Sequence, residues 1–455
     1  MNLYKTSQYI EVLEDIDIES EKDFVLIFST KSGKLLTLKR EFWNDLKNNN
    51  LAHIPLDVIH QLIDNNVIVY KGIDEIKECL DENDLMIEDL RKLSFTIQPS
   101  ANCQLGCIYC GQTHSNKKME ISTMDKILDR IQFLISKKGK KFYGELSITW
   151  YGGEPLMAYK EILGFSKKLI KFANEKTLKY SADIITNGLS LKPDYLERLI
   201  NDAKIYHYQI TIDGLAKTHD KRRPTKGGEE TFNVIMNNIV KATKNKIFID
   251  KDCRIALRIN IDKNNYSEVP QLIKTIASLN LQKYITLNFA AVVDWGGNEA
   301  SKESLDKKDF AEMEIDWILE AIGCGFEIAN FLPTRSPVCM ITNPVSEVYD
   351  AYGFITPCYE MNYTKMYENT AHIIGNLSNL ENINLNSPLR KWHQMLKENQ
   401  YECTKCKYLP VCGGSCPKDW LKNEPPCPTY KYNLKDRMML EFLTKKGELK
   451  KLLQL

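Results

Sequence analysis

From about residue 93 the chain alternates short apolar runs with segments whose apolar residues recur every three or four positions. The runs Ser94 to Gln98, Leu146 to Tyr151, Ala182 to Thr186, Tyr206 to Ile212, Ile255 to Ile261 and Tyr284 to Ala291 have the length and residue content of strands. Amphipathic helices fill the gaps. Met124, Ile127, Leu128, Ile131, Leu134 and Ile135 make one apolar stripe, as in a helix that covers a parallel sheet. These units predict an α/β fold, a partial (β/α)6 barrel, with its chemistry at the C-terminal ends of the strands.

Residues 1 to 85 follow another rhythm. Asp23 to Ser29 and Lys34 to Leu38 read as strands joined by a turn at Ser32-Gly33, a β-hairpin. Two short helices follow; the second starts near Pro55, places Leu56, Ile59, Leu62 and Ile63 on one face, stops at Asn65-Asn66 and leads into a strand from Val67 to Tyr70. The order is winged-helix-like. Beyond about residue 330 the periodicity fades, and seven cysteines lie between Cys339 and Cys427 amid Pro, Gly and Asn. Bound clusters rather than an apolar core are expected to hold this part together. The expected units are thus 1–85, 86–330, 331–432 and a C-terminal helix over 433–455.

Composition narrows the class. The chain has 455 residues, 43% apolar and 27% charged, enough for a folded protein of more than one domain. Lys plus Arg number 61 and Asp plus Glu 60, so no global charge favours a nucleic-acid partner. The acidic N-terminus has no secretory pattern, and no run of about 18 apolar residues marks a membrane span. A cytoplasmic location is expected. There the 13 cysteines stay reduced, and their close spacing points to metal or cluster ligation.

Immediately after the first barrel strand comes Cys103-Gln-Leu-Gly-Cys107-Ile-Tyr-Cys110. Three thiolates so spaced can curl round one face of a cluster, and the loop offers no fourth, which leaves one iron open. A zinc site would more often bring a fourth Cys or His nearby. With Tyr109 before the last cysteine, the motif resembles that of radical S-adenosylmethionine enzymes, and the likeness covers roughly residues 93 to 295. Further matches each follow a strand: Gly152-Gly153-Glu154-Pro155, Thr186-Asn187-Gly188, and Thr211-Ile-Asp213-Gly214 with His219-Asp220-Lys-Arg-Arg223. The two glycines let backbone approach a ligand and expose amides and carbonyls to it.

The resemblance implies that Gly152, Gly153, Glu154 and Pro155 bind the methionine part of S-adenosylmethionine, with Thr211 and Arg223 near the cofactor. For Asn187, Asp213 and Arg223 a structural role is equally open, and Asn260 is a weaker candidate. It also implies reductive cleavage of the cofactor to a 5′-deoxyadenosyl radical that takes hydrogen from a substrate, with the electron supplied by an external reductant such as flavodoxin or ferredoxin.

The downstream cysteines follow C-x13-G-x4-C from Cys339 through Gly353 to Cys358, then C-x2-C-x5-C-x3-C from Cys403, and finally Cys427. This resembles the SPASM domain. The likeness implies two auxiliary [4Fe–4S] clusters besides the first, one on Cys403, Cys406, Cys412 and Cys427, the other on Cys339, Cys358 and Cys416. No cysteine between Cys339 and Cys358 completes the second set, so its fourth ligand stays open. Cys79, Cys253 and Cys324 are expected to be buried structural thiols.

SPASM-bearing relatives mostly act on peptides or proteins, and the N-terminal unit resembles the leader-recognition element of enzymes that modify ribosomally made peptides. The expected function is therefore oxidative maturation of a precursor peptide, through a thioether or carbon–carbon cross-link, with the leader added as a strand to the hairpin edge. The alternatives are formylglycine formation as in anaerobic sulfatase maturases, or a non-catalytic peptide-binding or electron-transfer protein. The maturases carry an aspartate directly after the cysteine matching Cys358; here Tyr359 and then Glu360 follow, which makes Glu360 a weak candidate base.

Overall fold

The computed structural model describes residues 3–16, 18, 21–89, 91–137, 144–294, 296–328, 330–335, 338–384, 387–422 and 425–449. The expected C-terminal helix is seen as Tyr430–Lys445; its extension over 450–455 lies outside the described residues.

Strands β1 (Tyr4–Thr6), β2 (Ile10–Leu13), β3 (Phe24–Ser29), β4 (Lys34–Lys39) and β5 (Ile68–Tyr70) belong to the N-terminal unit. The hairpin forms as expected, with Gly33 at φ +70° in its turn, a conformation that glycine adopts without strain. β2 adds to its other side, so β3 is the middle strand of β2-β3-β4. One face of β3, through Val25 and Ile27, packs with Leu38, Trp43, Leu46 and Leu62 into a small core. The helix Leu56–Asp64 ends at Asn65 and Asn66, the latter at φ +55°. Leu56 departs from the expected apolar face: it opens the helix on the solvent side and is 69% exposed, whereas Leu62 is buried.

The main sheet has nine strands in the order β11-β10-β9-β8-β7-β6-β12-β13-β14. β6 (Lys92–Ile97), β7 (Glu145–Trp150), β8 (Lys179–Thr186), β9 (Ile205–Thr211), β10 (Arg254–Ile261) and β11 (Ile285–Ala291) run parallel in sequence order. These are the six strands read from the sequence. Their alternating inward residues, such as Ile255, Leu257, Ile259 and Ile261, are fully buried. Local signals set the crossovers: Pro193 opens the helix Pro193–Ala203, and Lys204 at φ +56° ends it one residue before β9. The helix Ile121–Lys137 buries Met124, Ile127 and Ile131 against the sheet.

The cysteine-rich part differs from expectation in having apolar packing of its own. β12 (Glu347–Tyr349) pairs in parallel with β6, and β13 (Phe354–Thr356) and β14 (Gly375–Asn376) continue the sheet. Tyr349, Ala351, Ile355, Ile374 and Leu377 join the barrel core. A buried ion pair from Arg130 to Glu347, at 2.6 Å, fixes this extension to the barrel helix. The second face of the N-terminal sheet, Leu26 and Phe28, packs on Tyr408, Val411, Leu434, Met438 and Phe442. Among the described residues no helix is long and apolar enough to cross a membrane.

Candidate functional site

The loop after β6 carries Cys103, Cys107 and Cys110 to the C-terminal mouth of the barrel, where all three line one cavity of about 250 Å³. Gly152, Gly153, Glu154, Asn187, Thr211, Arg223, Asn260 and Glu360 line the same cavity. The loop is held on both flanks. Gly106 N–H donates to Pro224 O at 2.8 Å, Ile108 N–H to Arg222 O at 3.0 Å and Lys226 N–H to Gln104 O at 2.8 Å. On the other side Gly153 N–H donates to Ser100 O at 3.1 Å and Glu154 N–H to Asn102 O at 2.8 Å.

Those last bonds change the reading of the glycine pair. The amides of Gly153 and Glu154 serve the cysteine loop and are not open to a ligand. A Cβ on Gly153 would stand 2.6 Å from Asn102 O, and one on Gly152, at φ +127°, 2.8 Å from Ser100 O. Both positions thus require glycine because the two loops touch through backbone. The Glu154 carboxylate is also occupied: it accepts from Thr186 Oγ1 at 2.6 Å, Leu156 N at 2.9 Å and Asn187 N at 2.8 Å. Burial raises its pKa against these bonds.

Two nominated residues do not face the cavity. Pro155 is buried in the short helical turn that starts the next crossover. Asp213 is fully buried behind the cysteine loop, where Oδ2 accepts the Tyr109 hydroxyl and Oδ1 accepts Asn260 N–H at 3.1 Å. His219 and Asp220 are structural as well. His219 Nδ1 accepts Asp213 N–H at 3.2 Å, and Asp220 Oδ1 accepts Thr231 N–H and Phe232 N–H at 2.7 and 2.8 Å, capping the helix Phe232–Lys244. Asn187 holds its own turn through Leu189 N–H and points its amide at Cys103 Sγ, 3.8 Å away.

Sequence reasoning missed Gln209, Arg258 and Tyr151 as lining groups, and Tyr109 as the joint of the site. Tyr109 was visible only as an aromatic before Cys110; its hydroxyl also accepts from Asn260 Nδ2 at 3.0 Å and from Arg223. Gln209 and Arg258 sit at alternate strand positions facing the barrel mouth, a pattern that period-two reading of β9 and β10 exposes once the mouth is located.

The cysteines suit a multi-iron group. Burial, with the Glu154 charge, pushes the Cys103 thiol up to about 12, and burial pushes Cys107 up to about 11. Such thiols ionise when a cation displaces their protons. Among the described residues no three His, Cys, Asp or Glu groups converge on a single ion position.

Downstream, Cys403, Cys406, Cys412 and Cys427 line one small cavity, with Gly414, Trp420 and Lys431. Gly414, at φ +89°, lies against Trp392, where any Cβ would overlap the indole. Cys339 and Cys358 share an apolar cluster with Ile341, Met361 and Leu389, and Cys416 caps the helix Pro417–Leu421. Tyr359 reaches back into the barrel cavity and meets Tyr151 edge to face, with centroids 5.5 Å apart. Glu360 enters beside it, its Oε2 accepting from Lys418 Nζ at 2.5 Å. Cys79 and Cys253 are buried as expected, whereas Cys324 is only half-buried and lies 3.5 Å from Glu320.

With this geometry in view, the comparisons are consistent. Residues 97–276 match the Radical SAM superfamily, which supports an enzyme with a radical S-adenosylmethionine domain over that part of the chain. A cysteine-type anaerobic sulfatase-maturating enzyme of Clostridium novyi is 23% identical over 74% of this chain and 91% of its own. The radical SAM cyclopropyl synthase TigE of Paramaledivibacter caminithermalis is 21% identical over 88% of this chain and 83% of its own. The solved structure of native anSMEcpe with bound AdoMet and Cp18Cys peptide superposes with a TM-score of 0.54 at 20% identity, covering 80% of this chain and 99% of that one.

Proposed function

We propose that the protein matures a ribosomally made precursor peptide by taking a hydrogen from one of its unreactive carbons and closing a thioether or carbon–carbon link. The observation that carries this reading is the three-stranded N-terminal sheet, whose β4 edge has no strand partner among the described residues while its opposite face packs on the cysteine loop at 408–411. Such an edge offers a row of main-chain donors and acceptors to an extended leader. The similarity to TigE and to sulfatase-maturating enzymes, both named for modifying reactions, supports an enzyme of this kind.

In this reading Cys103, Cys107 and Cys110 would hold the first [4Fe–4S] cluster, and S-adenosylmethionine in the same cavity would supply the hydrogen-abstracting radical. The carbonyl side of Gly152-Gly153 and the polar groups of Asn187, Thr211, Arg223 and Asn260 orient the cofactor. Glu154 acts by fixing the Asn187 turn. Tyr151 and Tyr359 wall the mouth and keep water from the reacting centre. Cys403, Cys406, Cys412 and Cys427 hold one auxiliary cluster, and Cys339, Cys358 and Cys416 another. The partners are the precursor peptide and a low-potential electron donor.

Anaerobically reconstituted, reduced protein is expected to convert S-adenosylmethionine to 5′-deoxyadenosine and, with a peptide encoded by a neighbouring small reading frame, to yield a product lighter by two hydrogens. Deoxyadenosine without any change in such peptides would reject the peptide substrate.

A further inference from the structure

Resting on the peptide reading above, we infer that Arg258 binds a carboxylate of the substrate at the barrel mouth, so that the precursor carries an acidic side chain or its own C-terminus close to the carbon that loses its hydrogen. Among the described residues, two carboxylates line the cavity around Cys103, Cys107 and Cys110, those of Glu154 and Glu360, and two guanidinium groups, those of Arg223 and Arg258. Both carboxylates are taken. Glu154 accepts three hydrogen bonds, from Leu156, Thr186 and Asn187, and Glu360 accepts from the buried Lys418 Nζ at 2.5 Å. Arg223 gives Nη1 to the hydroxyl of Tyr109 and so is tied to the cysteine loop.

Arg258 is held differently. It stands on the inward face of β10, two residues before Asn260 and beside Thr211 of β9. Its Nε donates to Asn260 Oδ1 at 2.8 Å. Asn260 is itself fixed, through Nδ2 to the Tyr109 hydroxyl at 3.0 Å and through its N–H to Asp213 Oδ1 at 3.1 Å. The guanidinium is thus aimed by one nitrogen, and its two terminal nitrogens are left for a partner. Neighbouring arginines have their acids: Arg222 pairs with Asp262 at 2.6 Å and Arg254 with Asp252 at 2.6 Å. Among the described residues Arg258 pairs with none. A half-buried fork of donors with a permanent charge and no acid of its own matches a carboxylate brought from outside.

The cavity has room for such a group. Two residues before Arg258 the same strand face carries Ala256, and there a second cavity of about 460 Å³ opens, with Ile185 and Gln209 lining both. A side chain coming from the mouth therefore reaches Arg258 without a packed floor beneath it. A carboxylate held there by two parallel bonds fixes one residue of the peptide, and with it which neighbouring carbon faces the source of the radical.

The test uses the full chain with its clusters reconstituted. Its probe is the peptide encoded by the neighbouring small reading frame, made also as a series in which one Asp at a time becomes Asn, one Glu becomes Gln, or the C-terminus becomes an amide. Arg258→Gln is expected to lower kcat/KM on the native peptide roughly 10- to 100-fold, the range of a lost charged hydrogen bond, with Arg258→Lys in between. One amidated peptide is expected to show the same loss with the wild-type enzyme and no further loss with Arg258→Gln. Losses that add for every peptide of the series overturn the proposal and leave Arg258 a support for Asn260. Affinities for S-adenosylmethionine and for its decarboxylated form test the other source of a carboxylate, and their ratio is expected to be the same in wild type and Arg258→Gln. A ratio that changes assigns the guanidinium to the cofactor and also overturns the proposal. Wild-type enzyme that forms 5′-deoxyadenosine yet alters none of the peptides rejects the peptide reading itself, and the proposal with it.

Discussion

Tyr109, in the cysteine loop, donates its hydroxyl to the carboxylate of Asp213 just past the end of β9, and this bond joins the cysteine loop to the barrel wall. Arg223 and Asn260 donate to the same oxygen, and the guanidinium of Arg222 stacks 5.3 Å from the ring centre. Tyr109→Phe removes the hydroxyl donor to Asp213 Oδ2, which keeps the Arg222 guanidinium 3.7 Å away, and takes from Arg223 and Asn260 their shared acceptor. The expected cost is about 1–3 kcal/mol of stability, read by chemical denaturation, together with weaker S-adenosylmethionine binding at unchanged auxiliary iron. Wild-type cofactor affinity in the variant would show that the joint does not position the loop.

Gly153→Ala tests the contact between the two loops. Its Cβ would fall 2.6 Å from Asn102 O, a backbone atom that cannot swing aside. The cysteine loop must shift, and iron at the first site is expected to drop selectively while the auxiliary clusters assemble. Iron analysis combined with resonance spectra of the reduced protein checks this. Gly164→Ala, where a Cβ meets nothing within 4 Å, is the neutral control.

The barrel was legible because its strands place Ile and Leu at every second position: Ile255, Leu257, Ile259 and Ile261 are fully buried, while Arg258 and Asn260 between them line the mouth cavity. β1 and β2 were missed, since Tyr4–Thr6 and Ile10–Leu13 are short, half-exposed strands beside acidic residues. β12 was missed for another reason. It has three residues, and its partner β6 lies some 250 positions earlier, as in the pair Val348 and Thr96. Two groups of cysteines that share a cavity, Cys103, Cys107 and Cys110 and then Cys403, Cys406, Cys412 and Cys427, were legible from their spacing. For Asp213 both roles stayed open, because a polar residue just past a strand end can turn toward the cavity or behind the loop, and the bond from Tyr109 places it behind the loop.

Arg130 and Glu347 are 4% and 0% exposed and bond through two guanidinium nitrogens, Nη2 at 2.6 Å and Nε at 3.1 Å. Tyr349 adds a third donor to Glu347 at 2.8 Å. Arg130→Met leaves a buried carboxylate unpaired and is expected to destabilise by about 3–5 kcal/mol. The double variant Arg130→Met, Glu347→Leu should be less destabilised than Arg130→Met alone. Additive losses in denaturant midpoints would contradict a pair that acts as one unit.

Asp350, buried in the turn that precedes β13, has its pKa pushed up to about 7 by burial, against the N–H bonds it accepts from Phe354 and Tyr352. In the unfolded chain it titrates near about 3.9. The folded state therefore binds the extra proton in the window between these values. The stabilising contribution is complete below the lower value and is lost as pH rises through the upper one. Going from about pH 5 to about pH 8 should cost about 2 kcal/mol through this group. Asp350→Asn keeps the acceptor oxygen and should remove that part of the slope, as urea midpoints at the two pH values would reveal; an unchanged slope would assign the pH dependence elsewhere.

The N-terminal sheet calls for a test other than deletion. Removing residues 1–85 would strip Leu26 and Phe28 from Tyr408, Val411, Met438 and Phe442. It would also remove Glu11, which accepts the Tyr408 hydroxyl at 2.6 Å and pairs with Lys407 at 2.7 Å, and Thr30, which donates to Lys407 O. Because 407 and 408 lie between Cys406 and Cys412, deletion is expected to lower auxiliary iron as well as leader binding, and so confounds the two. Hydrogen exchange avoids this. β3 is paired on both sides, so a leader strand can add only at the outer edge of β4 or of β2. β4 begins at Lys34 and ends at Lys39, and is followed directly by the helix Arg40–Lys47. Addition of precursor peptide should slow exchange across 34–39 and leave β2 unaffected. Protection of β2 instead, or of neither strand, would remove the β4 edge as the leader site.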